Sequence, residues 1–167
     1  MICSNITRGT DGALLFAGQP VSALAERCGT PLYLMDEDRI RFNCRMYKNA
    51  FRASFGDRAL PLYASKACAF KQMYRIMKEE GMGVDCVSCG EIHTALEAGF
   101  PAEHIWFHGD GKTDADIRYA IDHGVGCFVV DGYESWKRST ARRESAKSGR
   151  RSCFASRPVS TRTPMRP

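Results

Sequence analysis

Apolar residues recur along this chain with two alternating periods. Ile40, Cys44, Tyr47 and Phe51 share one face at helical spacing behind the acidic start Asp36-Glu37-Asp38, and acidic side chains suit the positive end of a helix. Residues 59–64 then read as a strand. Phe70, Met73, Tyr74 and Met77 read as the core face of the next helix, stopped by Gly81 and Gly83. The alternation continues with a strand over 84–88 and a helix through Ile92, Ala95 and Leu96 that ends at Gly99. A third strand covers 105–108, Thr113 caps a helix through Ile117 and Ile121 ending at Gly124, and a fourth strand covers 127–130. Ahead of this lie a short apolar run at 13–16, a short helix at 21–28 and a strand at 31–35.

Strands separated by helices of about a dozen residues are βαβ units, and they imply an α/β fold with a parallel sheet. Such units build either an open doubly wound sheet or a (β/α)8 barrel, and periodicity does not choose between them. A barrel normally takes ~250 residues, so this chain would hold about half of one.

Texture divides the chain into a lead-in (1–35), the alternating region (36–135) and a tail (136–167). The tail holds ten Lys and Arg against one Glu, while the first 135 residues hold 14 basic and 18 acidic residues. The overall charge of +5 therefore misrepresents the part that folds. A tail poor in large aliphatic residues cannot offset its chain entropy by burial, so it is expected to be disordered. Its basic charge would suit nucleic acid or an anionic surface. The alternating region carries no such signal, and no nucleic-acid partner is expected.

Elsewhere composition mainly excludes. With 44% hydrophobic and 26% charged residues the chain is ordinary for a globular protein. No stretch approaches the ~20 apolar residues that cross a bilayer, and no basic start followed by an apolar run marks a secretory leader. A cytoplasmic protein without a membrane partner is the expectation. The eight cysteines are scattered and sit mostly in apolar periodic segments, which reads as free, buried thiols. Cys86 and Cys89 form a CxxC with His93 four residues on. A structural zinc needs four ligands and no second pair follows, so no metal is expected.

In a parallel α/β fold, reactive groups gather where strands end. Lys66 stands there, just after the strand Leu60-Pro61-Leu62-Tyr63-Ala64. A lysine partly desolvated by strand-end packing can form a Schiff base, though most lysines are merely solvated charges. Asp85, near the second strand, could pair with Lys66 or with a cofactor cation, or could cap a turn. Glu91 opens the next helix, where its charge is favourable with or without a function. His108-Gly109-Asp110-Gly111-Lys112 follows the third strand and looks like an anion-friendly loop, although such glycines also mark ordinary turns.

The segment YASKACAFK, residues 63–71, resembles the cofactor-lysine motif YAxKAN of the alanine-racemase-like barrel family. GTPLYLMDEDRIRFNCRMY (29–47), GMGVDCVSCGEIHTALEAGFP (81–101), IWFHGDGKTDADI (105–117) and GVGCFVVDGYE (124–134) resemble diaminopimelate decarboxylases, in family order and spacing. The resemblance covers residues ~12 to 135. It implies the N-terminal half of a TIM-type (β/α)8 barrel that binds pyridoxal 5'-phosphate, with residues 1–35 belonging to the family's β-domain. It further implies Lys66 as the catalytic, cofactor-bearing lysine, with Asp85 beside it and Glu91 near the cofactor. The implied activity is decarboxylation of meso-diaminopimelate, a small amino acid, to L-lysine by a homodimer. Alanine racemases, ornithine- or carboxynorspermidine-type decarboxylases and non-catalytic pyridoxal-phosphate-binding proteins are the alternatives. Cys68 stands where the family usually has Asn, and Cys89 where Gly is common.

After Glu134 the family continues roughly as LLRVTPGIDPHTH. Read back through permitted codons and shifted to the third base, residues 152–165 spell LLRVTPGIDPHT and then His. One restored C turns the codons from Trp136 onward into LEALD. The tail is therefore expected to be out-of-frame translation after Glu134. The cofactor-phosphate loops and substrate-binding residues would then lie beyond residue 135, and this chain by itself would be nearly inactive.

Overall fold

The computed structural model describes residues 4–130, together with 132, 137, 141 and 151–154. The chain divides into two units, residues 1–47 and 48–167.

The first unit begins with a small antiparallel sheet of β1 (Ile6–Arg8), β2 (Leu14–Phe16) and β3 (Gln19–Pro20). Ala17 and Gly18, both at positive φ, form the two-residue turn that pairs Phe16 with Gln19. Such a turn matches the twist of the strands it joins, and glycine enters this backbone region without penalty. Helix α1 (Val21–Cys28) buries Leu24 and stops at Gly29. Residues 31–35 alternate in exposure as an extended chain does, but they carry no ladder with any described residue. The strand expected there is thus an unpaired extended link. Asp36 opens α2 (Glu37–Phe55) by accepting from the Arg39 N–H at 3.1 Å, and it also accepts from the Asn5 amide at 3.0 Å. The Arg39 N–H and the Asn5 amide together hold the Asp36 carboxyl below its usual range.

The second unit is built on a five-stranded parallel sheet in the order β4 (Leu62–Ala64), β5 (Gly83–Cys86), β6 (Ile105–Phe107), β7 (Cys127–Val130), β8 (Arg151–Phe154). Helices α3 (Lys71–Glu79), α4 (Cys89–Glu97) and α5 (Asp114–Asp122) connect the first four strands, as the periodicity predicts. Parallel neighbours need such crossovers. Chain-order neighbours pair throughout, the arrangement of consecutive barrel strands.

Register and burial separate the sheet's two faces. Val84 lies opposite Ile105, and Cys86, Phe107 and Phe128 share a row; all five are fully or almost fully buried. Met73, Tyr74, Ile76 and Met77 of α3, Ile92 and Ala95 of α4, and Ile117 and Ala120 of α5 are buried with them. Each such large side chain contributes ~1.5–3 kcal/mol through removal from water. The alternate row Ala64, Asp85, Trp106, Cys127 faces the other way, and its first three members are only half-buried. In a closed barrel this row is the interior.

Two details depart from the periodic reading. Phe70 is 39% exposed and precedes α3 in extended conformation, so the core stripe of that helix takes Ile76 in its place. Four residues of the tail expected to be disordered, Arg151–Phe154, form β8 against β7. Strand pairing engages backbone groups that every sequence carries, and a strand edge offers its N–H and C=O groups to any extended segment. The remaining tail calls lie outside the described residues. No described helix is long and apolar enough to cross a membrane.

Candidate active site

The C-terminal ends of β4, β5 and β6 bring Lys66, Asp85 and His108 to one edge of the sheet. Lys66 sits in a single 3-10 turn, Ser65–Ala67, directly after β4. The turn is held from both sides. Ser65 is fully buried with its hydroxyl 3.5 Å from the Cys86 sulfur on β5, and the Tyr63 hydroxyl donates to the Cys68 carbonyl at 3.0 Å. Lys66 itself is exposed, and among the described residues nothing bonds its ammonium. The desolvation expected from strand-end packing falls instead on its neighbour Ser65, because successive residues of a 3-10 turn point about 120° apart, and here Ser65 faces inward while Lys66 and Ala67 face outward. A positioned backbone carrying a side chain that can swing suits an amine that must reach a ligand.

Asp85 pairs in register with Ala64, two residues before the lysine. One carboxylate oxygen lies 3.4 Å from the His108 Nδ1. The other, Oδ1, is buried without a hydrogen-bond partner among the described residues. A buried unpaired acceptor costs ~1–3 kcal/mol, so its presence near a strand end beside a lysine calls for a chemical reason. The alternative of a turn cap does not hold for Asp85, which lies inside β5.

Glu91 is placed differently. Its carboxylate accepts from the Val87 N–H at 2.8 Å while its own N–H donates to the Ser88 hydroxyl at 3.2 Å. These bonds satisfy two donors at the start of α4. The glycine-rich loop after β6 also departs from expectation. Lys112 is 7% exposed and donates to the carbonyls of Gly109 and Val129, with its ammonium 5.4 Å from the centre of the Phe107 ring. Its cation closes the loop onto β7 and does not face an incoming anion.

The CxxC divides between two neighbourhoods. Cys86 is fully buried against Ser65, and Cys89 donates to Asp116 at 3.2 Å. His93 meets the Tyr119 hydroxyl at 3.2 Å. Burial pushes the Cys86 thiol up to about 11; burial and the Asp116 carboxylate push Cys89 up to about 12. Reactive and metal-binding thiols need the opposite shift. Among the described residues no group of three or more His, Cys, Asp or Glu is placed to hold a metal.

His108 was not singled out by spacing, which drew attention to the glycines behind it. The available signal was its place directly after a strand: its N–H donates to the Cys86 carbonyl at 2.8 Å, extending the ladder one step beyond β6 and delivering the ring beside Asp85.

An exposed amine on a fixed turn, with a carboxylate carrying one spare buried oxygen on the adjoining strand, fits the aldehyde-binding end of pyridoxal phosphate. Comparisons with known proteins agree. The chain is 45% identical over 122 residues to the diaminopimelate decarboxylase of Bacillus subtilis, covering 73% of this chain and 28% of that protein. The crystal structure of M. jannaschii diaminopimelate decarboxylase with L-lysine superposes with a TM-score of 0.79 at 27% identity, over 90% of this chain and 35% of that one. The lysine/ornithine decarboxylase of Vibrio vulnificus, complexed with putrescine, gives a TM-score of 0.68 at 30% identity, over 80% and 34%. The chain spans under a third of the curated relatives it matches. The profile described as pyridoxal-dependent decarboxylase, pyridoxal binding domain, matches residues 37–147, so its boundary falls within the tail expected to be out of frame. That match takes in Lys66, Asp85 and His108 together, and the chain belongs to the pyridoxal-dependent decarboxylase family through its pyridoxal-binding domain.

Proposed function

We propose that this chain supplies the lysine-bearing part of a diaminopimelate decarboxylase, which removes the carboxylate from the D-centre of meso-diaminopimelate to give L-lysine and CO2. The observation that supports it most is the position of Lys66, on a braced turn at the end of β4 with Asp85 in the adjoining strand. The 45% identity to a diaminopimelate decarboxylase favours this branch over the other barrel enzymes.

Lys66 would hold pyridoxal phosphate through its ε-amine, and Asp85 would supply the negative charge beside that nitrogen. When bound, the cofactor's pyridine ring supplies the sink for the electron pair that departing CO2 leaves behind. Once the substrate amine has displaced it, the freed Lys66 amine would be available to carry a proton at the reacting carbon, as its exposed position at the strand end allows. Glu91, anchored at the start of α4 by the Val87 N–H, would lie near the cofactor. The whole enzyme is proposed to be a cytoplasmic homodimer acting on a small amino acid.

The test is to incubate the purified 167-residue chain with pyridoxal phosphate, reduce with borohydride and map the label by mass spectrometry. The expected result is one pyridoxyl group, on Lys66, absent from Lys66→Ala. Labelling spread over the exposed lysines, or unchanged in Lys66→Ala, would overturn the reading.

A further inference from the structure

We infer that His108 is a positioning residue for Asp85, fixing which carboxylate oxygen is presented to the Lys66 amine; the inference rests on the proposed role of Lys66. The two side chains come from neighbouring strands. Asp85 lies on β5, and His108 follows β6, held in place by its own backbone bond to the Cys86 carbonyl. Its Nδ1 lies 3.4 Å from Asp85 Oδ2. A carboxylate only accepts, so this contact becomes a hydrogen bond when Nδ1 carries the hydrogen. The distance is long for such a bond, as hydrogen bonds in active sites without ligand often are, tightening once the ligand is in place.

The consequence lies at the other oxygen. With Oδ2 tied to His108, rotation of the carboxylate is restrained and Oδ1 stays in its buried position, without a partner among the described residues. Ala64, the register partner of Asp85, leads into the turn of Lys66, so the spare acceptor belongs to the strand pair that carries the amine. Without the imidazole, Oδ1 and Oδ2 become interchangeable, and the carboxylate can turn its charge away from the nitrogen it should accompany. His108 need not touch the reacting atoms to do this.

The experiment compares His108→Phe with His108→Asn in the full chain. The Asn side-chain amide nitrogen occupies nearly the place of Nδ1 and donates to a carboxylate, whereas Phe fills the volume and cannot donate. The rate of borohydride-trapped labelling at Lys66 is expected to fall about tenfold in His108→Phe and to return to within about threefold of the original in His108→Asn, the scale on which small misplacements act. In the cofactor-free chain, the Nδ1 resonance of His108 should move when Asp85 is changed to Asn. Equal labelling rates in His108→Phe and the unaltered chain would overturn the inference, as would equal slowing in both variants at unchanged thermal stability. An Nδ1 resonance indifferent to Asp85→Asn would also overturn it. The Lys66→Ala control separates the two levels: if that variant labels normally, the proposed function fails, whereas if it does not label while His108→Phe labels at full rate, only the role of His108 fails.

Discussion

The Ser65 hydroxyl and the Cys86 sulfur lie 3.5 Å apart and both residues are fully buried, so the turn bearing Lys66 is fastened from within to the strand bearing Asp85. Ser65→Ala removes the hydroxyl and leaves the thiol without that partner. The expected loss is ~1–3 kcal/mol, the cost of a broken buried polar pair. It should appear as a lower urea midpoint with an unchanged slope. An unchanged midpoint would mean that packing alone holds the turn.

The same pair predicts an alkaline limit to stability. Burial pushes the Cys86 thiol from an ordinary 9.0 to about 11, opposed by its contact with Ser65 and assisted by the nearby Glu91 and Asp85 charges. Tyr74, with its hydroxyl buried, is raised in the same direction by burial. A thiol that ionises later in the folded chain than in the unfolded one favours folding fully below pH 9, and that contribution is lost as pH rises through 11. Unfolding free energy should therefore fall between these values, with Cys86 contributing about 2–3 kcal/mol of the drop. Denaturant titrations at pH 8 and pH 11 should show a smaller drop in Cys86→Ala. An equal drop in both proteins would place the sensitivity elsewhere.

Gly126 fixes how closely β7 approaches the turn before β6. A Cβ added there would come within 2.0 Å of the Glu103 carbonyl oxygen and 2.6 Å of its carbon. Those are backbone atoms, and the Gly126 N–H bonds the neighbouring Ala102 carbonyl at 2.9 Å, so neither segment can yield without losing the contact. Gly126→Ala should cost at least about 2–3 kcal/mol, in the range of core overpacking. Gly111 is the control: it has open space around its Cβ position and no positive φ, so Gly111→Ala should stay within ~0.5 kcal/mol. Thermal unfolding of both variants checks the pair, and equal stabilities would contradict the steric account.

Much of this fold was legible because helical and strand periods alternate cleanly from Asp36 to Val130. The capping role of Thr113 could be read as well, since its hydroxyl accepts from the Asp116 N–H and the Asp116 carboxylate returns the bond. Pairing was not legible: residues 31–35 have a strand's composition, yet a strand exists only when a neighbour's backbone meets it. β8 is the converse, a pairing with no compositional signal. At the site, Lys66 and Asp85 could be placed by their motif. The direction of a side chain could not, because it depends on which face each residue of a short turn presents. For that reason Lys66 proved exposed and the His108–Asp85 contact emerged only in three dimensions.

Lys112 shows the same limit and supplies a decisive variant. Sequence alone suggested an anion-friendly loop over 108–112, with an ordinary glycine turn as the alternative, and the Lys112 ammonium is buried between the carbonyls of Gly109 and Val129. Lys112→Met keeps most of the apolar stem over Phe107 and leaves both carbonyls without their charged donor. Bonds to charged groups are worth more than neutral ones, so the expected destabilisation is ~2–4 kcal/mol. The pyridoxal phosphate concentration that half-labels Lys66 should meanwhile stay within about twofold under conditions where the variant is folded, since a residue that closes a loop alters stability and leaves ligand affinity alone. Should stability hold while that concentration rises tenfold or more, Lys112 would be an anion ligand after all, and the loop after β6 would belong to the binding site.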